Sequence, residues 1–147
     1  MKKFLIFAMS IGLMLAGCDL FPNIAIDDLE GTWVFGSKII KEYSADNVTL
    51  FIIKSDDTSL IVDLWWHVAD SEAEAGYVEY QYTCSGTISK NIFKANTYDS
   101  YGTAYNNVTT THGAIEVEFS MKDDKVIAKF SGDGPLNGVT ISDGIKQ

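Results

Sequence analysis

The sequence predicts an all-β domain of about eight strands, and three observations carry that prediction. From Gly31 onward the chain is cut at short intervals by Gly, Asn and Asp, the residues that supply turns. The segments between these cuts are rich in Val, Ile, Thr, Tyr, Phe and Trp and alternate apolar with polar, as half-buried strands do. No eleven-residue window after Gly31 carries the 3.6-residue apolar period of a helix, and only 70–75, Asp-Ser-Glu-Ala-Glu-Ala, has the composition of a helical turn, inside a loop.

Taken in order, residues 1–17 stand apart from this domain. Lys2 and Lys3 precede an apolar run from Phe4 to Leu15. The run has the length of a signal-peptide h-region and is too short to cross ~30 Å of hydrocarbon, so it predicts export and not a membrane span. Residues 18–30 read as a tether with Pro22 early, acids late and one helical turn. The domain proper is 31–147, with strands expected at 32–40, 48–54, 60–68, 77–89, 91–98, 108–112, 114–121, 125–131 and 138–141. The links at 55–59, 89–91 and 122–125 are too short for anything but antiparallel neighbours, so the chain is expected to walk as a meander.

The same alternation assigns faces. Ile115, Val117, Phe119 and Met121 point one way while Glu116, Glu118 and Ser120 point the other, and Val126, Ala128 and Phe130 continue the inner face. In 60–68, Leu60, Val62, Leu64, Trp66 and Val68 share one side, and Ile61, Asp63, Trp65 and His67 share the other. Antiparallel strands in such number must hide their sheet edges. Closure into a small up-and-down barrel does this most economically, with a two-sheet sandwich as the alternative.

Composition limits the partners. The chain has 20 acids against 11 cations, every cation is a lysine, and the net charge is −9. Removal of residues 1–17 takes Lys2 and Lys3 with it and leaves 9 lysines against 20 acids, a net charge of −11. Nucleic acid is not an expected partner of a body this acidic, and without arginine there is no planar fork for phosphates or carboxylates. The length suits one domain with one core.

No motif for chemistry is present, and no enzyme, cofactor or metal is expected. His67 and His112 are far apart, and neither CxxC nor HExxH occurs. His67 and Asp63 share a strand face but are too far apart to hold an ion without a third ligand from a neighbouring strand. Asp56-Asp57 and Asp123-Asp124 lack the calcium-loop spacing and read as turn residues. Glu116 and Glu118 read as a solvated outer face. Cys84 lies on the face of Val78, Tyr80 and Tyr82, which favours a buried structural thiol over a Cys-His nucleophile. The positive signal is aromatic. Trp65 and His67 sit on a face otherwise expected to be polar, and residues 97–111, rich in Tyr, Asn and Thr, read as a long loop. Trp65, His67, Tyr98, Tyr101 and Tyr105 are therefore the candidate ligand-binding residues. The alternative is that Trp65 is covered by that loop as a satellite core.

Two resemblances add to this reading. Leu15-Ala16-Gly17-Cys18 closely resembles the lipobox of bacterial lipoproteins. The resemblance implies cleavage before Cys18, a diacylglyceryl group on its sulfur, an acyl chain such as palmitate on the new N-terminus, and attachment of the cell-envelope protein to a membrane. Asp19 resembles an inner-membrane retention signal of enteric bacteria, and the choice between inner and outer membrane stays open. An ordinary secretory signal with an incidental cysteine is the alternative. With Cys18 acylated, Cys84 is left without a disulfide partner. Asp27-Asp28-Leu29-Glu30-Gly31-Thr32-Trp33 resembles the opening of the calycins, the lipocalins, fatty-acid-binding proteins and avidins, in which this tryptophan closes the barrel bottom. Gly86-Thr87-Ile88-Ser89-Lys90-Asn91-Ile92-Phe93 looks like a hairpin of lipocalin-like bacterial lipoproteins. Lipocalins usually set a late-strand arginine over the tryptophan. This chain has none, and Lys129 alternates outward with Ile127.

Together these readings lead to the expectation of a non-catalytic, membrane-anchored lipoprotein that binds a hydrophobic small molecule, lipid or glycan in or on a lipocalin-like barrel. The alternative is a structural or protein-interaction lipoprotein, inhibitor-like or adhesin-like, without a ligand pocket and with another envelope protein as its partner.

Overall fold

The alternating segments form strands, and hydrogen bonding between neighbours fixes their order. The computed structural model describes residues 23–103 and 107–147. The expected export signal, the lipobox-like segment with Cys18 and the candidate Tyr105 lie outside the described residues. A single helical turn, α1 (Ile26–Leu29), precedes β1 (Gly31–Ile40), β2 (Tyr43–Asp56), β3 (Ser59–Ala69), β4 (Tyr77–Ser89), β5 (Ile92–Gly102), β6 (Thr109–Lys122), β7 (Lys125–Gly132) and β8 (Thr140–Lys146). Every strand is antiparallel to its chain neighbours, and β8 returns to β1 through Trp33↔Lys146 and Val34↔Ile145. The sheet is thus a closed up-and-down barrel of eight strands, and the sandwich alternative is excluded.

The strand boundaries differ from the sequence expectation in four places, each with a local cause. Segments 108–112 and 114–121 are one strand, β6, which runs straight through Gly113. That glycine serves close approach and not a turn: a Cβ there would lie 2.8 Å from Asp133 Cβ, and Asp133 Oδ2 accepts the Ala114 N–H at 2.9 Å. Segment 97–111 is not a long loop, because Tyr98 pairs with Thr111 and Ser100 with Thr109, leaving residues 103–108 as the connection. β2 starts at Tyr43, before the expected 48, and absorbs Asn47 as an irregularity at φ +53. β8 extends to Lys146, well past 141; Asp143 at φ +67 interrupts its register, and Gly144 leaves room for the Phe35 ring.

The reversals follow turn chemistry. Asp123 and Asp124 both take positive φ, as a two-residue type I′ hairpin requires. Asp56 accepts the Thr58 N–H at 2.8 Å and the Thr58 hydroxyl at 3.0 Å, and these bonds hold its carboxyl below the usual range.

The two barrel ends are unlike. At the end where β1 begins and β8 finishes, Leu29 of α1 is fully buried and Trp33 is 1 % exposed. The Trp33 indole N–H donates to the Leu29 carbonyl at 2.7 Å. Lys146 Nζ lies 5.3 Å from the Trp33 ring centroid and donates to the Asp28 carbonyl at 3.1 Å. The cation over the tryptophan is therefore Lys146; Lys129 is exposed on the outer face, as its alternation implies. Above this plug Leu50, Ile52, Leu64, Phe93, Phe119, Phe130 and Ile141 fill the interior.

Candidate functional site at the open end of the barrel

The filled core stops short of the opposite end, and cross-strand size explains why. On β4, Tyr80 and Tyr82 point inward, but their β5 partners are Gly102 and Ser100, too small to meet them. The unfilled space is a cavity of about 350 Å³. Ile40 closes one wall from the end of β1, Trp66 and Val68 another from β3, and Pro135 and Leu136 reach in from the β7–β8 connection. Leu136 is 2 % exposed, so that connection folds over the barrel end and does not hang free.

Aromatic stacking shapes the cavity. Trp66 lies parallel to its register partner Tyr80, with centroids 5.5 Å apart and planes within 16°. Deeper, Tyr82 stacks on Tyr98 at 5.0 Å and meets Phe130 edge-on at 6.4 Å. Burial pushes the Tyr82 hydroxyl above the usual tyrosine range, with Cys84 and Tyr98 adding to the shift, so the phenol stays neutral across physiological pH. The floor of the cavity is thus aromatic and uncharged. Among the described lining residues the one charged side chain is Lys41, whose Nζ donates to the Asn137 carbonyl.

The five residues singled out from sequence do not form one site. Tyr98 lies in the interior behind Tyr82, and Tyr101, the register partner of Gln81, borders the cavity. Trp65 and His67 face the other way, onto an outer groove of about 460 Å³ that also takes in Asn47, Thr49, Phe51, Ile53 and Asp63. Trp65 meets Phe51 edge-on at 6.5 Å, and its indole nitrogen is buried without a hydrogen-bond partner. The His67 ring stacks on Tyr77 at 4.1 Å. The Asn47 amide donates to its Nδ1 at 3.2 Å, which leaves Nε2–H to donate to Glu79 at 3.1 Å. None of the described residues of 97–111 lines the groove of Trp65. Trp66, Tyr80, Tyr82, Lys41 and Leu136 were missed, although the parity shared by Trp66, Tyr80 and Tyr82 was readable. The facing Ser100 and Gly102 lay in a segment read as loop.

The remaining groups have structural occupations. Asp63 accepts two bonds from the Gln81 amide, at 3.1 and 3.2 Å, and one from the Thr83 hydroxyl at 2.8 Å. Among the described residues no group of three or more His, Cys, Asp and Glu converges. Cys84 is buried inside the barrel, its sulfur 3.8 Å from the Val62 carbonyl, while His67 lies on the outer face. Burial, with the Asp63 carboxylate adding, pushes this thiol up to about 12. His112 pairs with Thr97 across β5 and β6, and Glu116 makes a 3.2 Å ion pair with Lys94. No protein-family model, curated protein or solved structure matches the chain, so the barrel's own geometry carries the functional argument.

Proposed function

We propose that this chain is a lipid-anchored, non-catalytic lipoprotein of the bacterial envelope, calycin-like in shape, that binds a hydrophobic small molecule or lipid in the open end of its barrel. The observation that carries this reading is the cavity itself. Space of about 350 Å³ between Trp66, Tyr80, Tyr82 and Leu136 is a standing deficit of packing that an apolar ligand would make good. The lipobox-like Leu15-Ala16-Gly17-Cys18 supports the anchor, and the Trp33 plug supports the calycin likeness. In this reading the tether enters at the closed end, so acylated Cys18 ties down that end and the mouth lies at the other.

Native mass spectrometry of protein extracted from membranes tests both halves. The expected spectrum shows a polypeptide that begins at acylated Cys18 and carries a non-covalent apolar adduct, which the cavity-filling Ser100→Phe variant loses. An unacylated chain overturns the anchor, and an adduct that survives Ser100→Phe overturns the site.

A second reading, a protein- or glycan-binding outer surface, is favoured by the groove of Phe51, Ile53 and Trp65, where Ile53 is 48 % exposed. Trp65→Ala distinguishes it: capture of an envelope protein or glycan is lost with the melting temperature unchanged, whereas a fall in both assigns Trp65 to sheet packing.

A further inference from the structure

Resting on the cavity reading above, we infer that the ligand is a single-chain amphiphile with an anionic head, seated against Lys41 at the mouth. Three observations lead there. The first is a charge anomaly. Acids outnumber lysines 20 to 11 in this chain, yet no carboxylate stands among the described lining residues, and the single charge there is a cation. The second is that Lys41 is held in place. It occupies the first position of the two-residue β1–β2 turn at φ +59, where glycine is the usual residue, and its Nζ donates to the Asn137 carbonyl on the connection that brings Leu136 into the wall. An ammonium has three donors, so two remain beyond that bond.

The third is the division of the cavity. Ile40, Val68 and Leu136 offer no hydrogen-bond partner and Trp66 and Tyr82 add large aromatic surfaces, so the ligand's body is mainly apolar. When that body fills the mouth it strips water from Lys41. A desolvated ammonium without a counter-charge is costly, and a hydroxyl offsets the cost only in part. A carboxylate or a phosphate monoester restores a charge-assisted bond, and a cationic head adds repulsion. The volume lies near the lower end of the ~300–1,000 Å³ typical of small-molecule sites, which suits one chain and not two.

The test titrates full-length protein, stripped of bound lipid, with dodecanoate, dodecyl phosphate, dodecanol and dodecyltrimethylammonium below their aggregation thresholds, followed by tryptophan emission. Both anions are expected to bind about ten-fold or more tighter than the alcohol, with the cation weakest. Lys41→Gln abolishes the preference for the anions over the alcohol, and Lys41→Arg keeps it. Whichever anion binds tighter identifies the head as carboxylate or phosphate. Equal binding of the alcohol, or anion binding untouched in a folded Lys41→Gln variant, overturns the anionic head while leaving the cavity reading intact. Failure of all four to bind overturns the cavity reading as well.

Discussion

Trp33 shows how much one residue can organise, and how far its role could be read in advance. The resemblance of its segment to the calycin opening was enough to assign it to the barrel bottom. Its partners were not readable, because Lys146 sits in a C-terminal stretch that looks like a tail until Asp143 and Gly144 are seen to serve packing and register. Trp33→Ala removes a fully packed indole, leaves the Leu29 carbonyl without its indole donor and takes away the ring under Lys146. It should cost ~3–5 kcal/mol in denaturant unfolding, and a change below ~1 kcal/mol would place the indole outside the core. Cys84 gives a second residue-scale expectation, in pH. Its thiol is neutral in the folded barrel up to about 12, against an ordinary 9.0 in the unfolded chain. The folded-state value is the raised one, so the stability it contributes is complete below pH 9 and is lost as pH climbs towards 12. Urea unfolding followed from pH 8 to 11 should show wild type weakening faster than Cys84→Ala. Parallel curves would mean the thiol is reached by solvent.

Among the elements, strand existence was legible and strand extent was not. Alternation marks a half-buried strand wherever it persists, so the cores of β1 to β7 could be read, and of β8 only Thr140 and Ile141. The failures fall at Asn47, Gly113 and Asp143-Gly144, residue types that signal turns but act here as irregularities or points of close approach within long strands. A single sequence cannot separate the two uses, because both need a positive φ or a missing Cβ and differ only in what lies across the sheet. The candidate site suffered most from this. Reading 97–111 as loop hid the facing of Ser100 and Gly102 against Tyr82 and Tyr80, the mismatch that opens the cavity. Gly86 tests the close-approach argument. It lies at the β4–β5 register shift between Thr83 and Thr87, and a Cβ there would fall 2.0 Å from the Lys94 carbonyl oxygen, a backbone atom that cannot swing aside. Gly86→Ala should therefore cost ~2–3 kcal/mol and lower the thermal midpoint by several degrees. Gly76→Ala, with nothing within 4 Å of the added carbon but φ +74, should cost less, from backbone conformation alone. Gly86 has no positive φ, so a loss there no larger than at Gly76 would show that the Lys94 backbone gives way to the added carbon.

For the whole molecule, the acidic surface and the cation at the mouth oppose each other, and ionic strength separates them. The net charge, −9 for the whole chain and −11 without residues 1–17, repels an approaching anionic amphiphile over a distance set by screening, ~30 Å at 0.01 M salt and ~8 Å at 0.15 M. The contact with Lys41 acts over a few ångströms with the apolar body shielding it, and salt reaches it far less. Association should therefore quicken with added salt, while dissociation, which breaks the short-range contact, changes little. This is the reverse of an electrostatically steered site, where salt slows capture. Stopped-flow mixing with dodecanoate across that salt range should show the association rate rising several-fold at nearly constant dissociation rate. In Lys41→Gln the same rise in association should persist, because the long-range field is unchanged, while dissociation becomes faster at every salt concentration. An association rate that falls with salt in wild type would show that a positive field surrounds the mouth, and that Lys41 is not an isolated cation in an acidic shell.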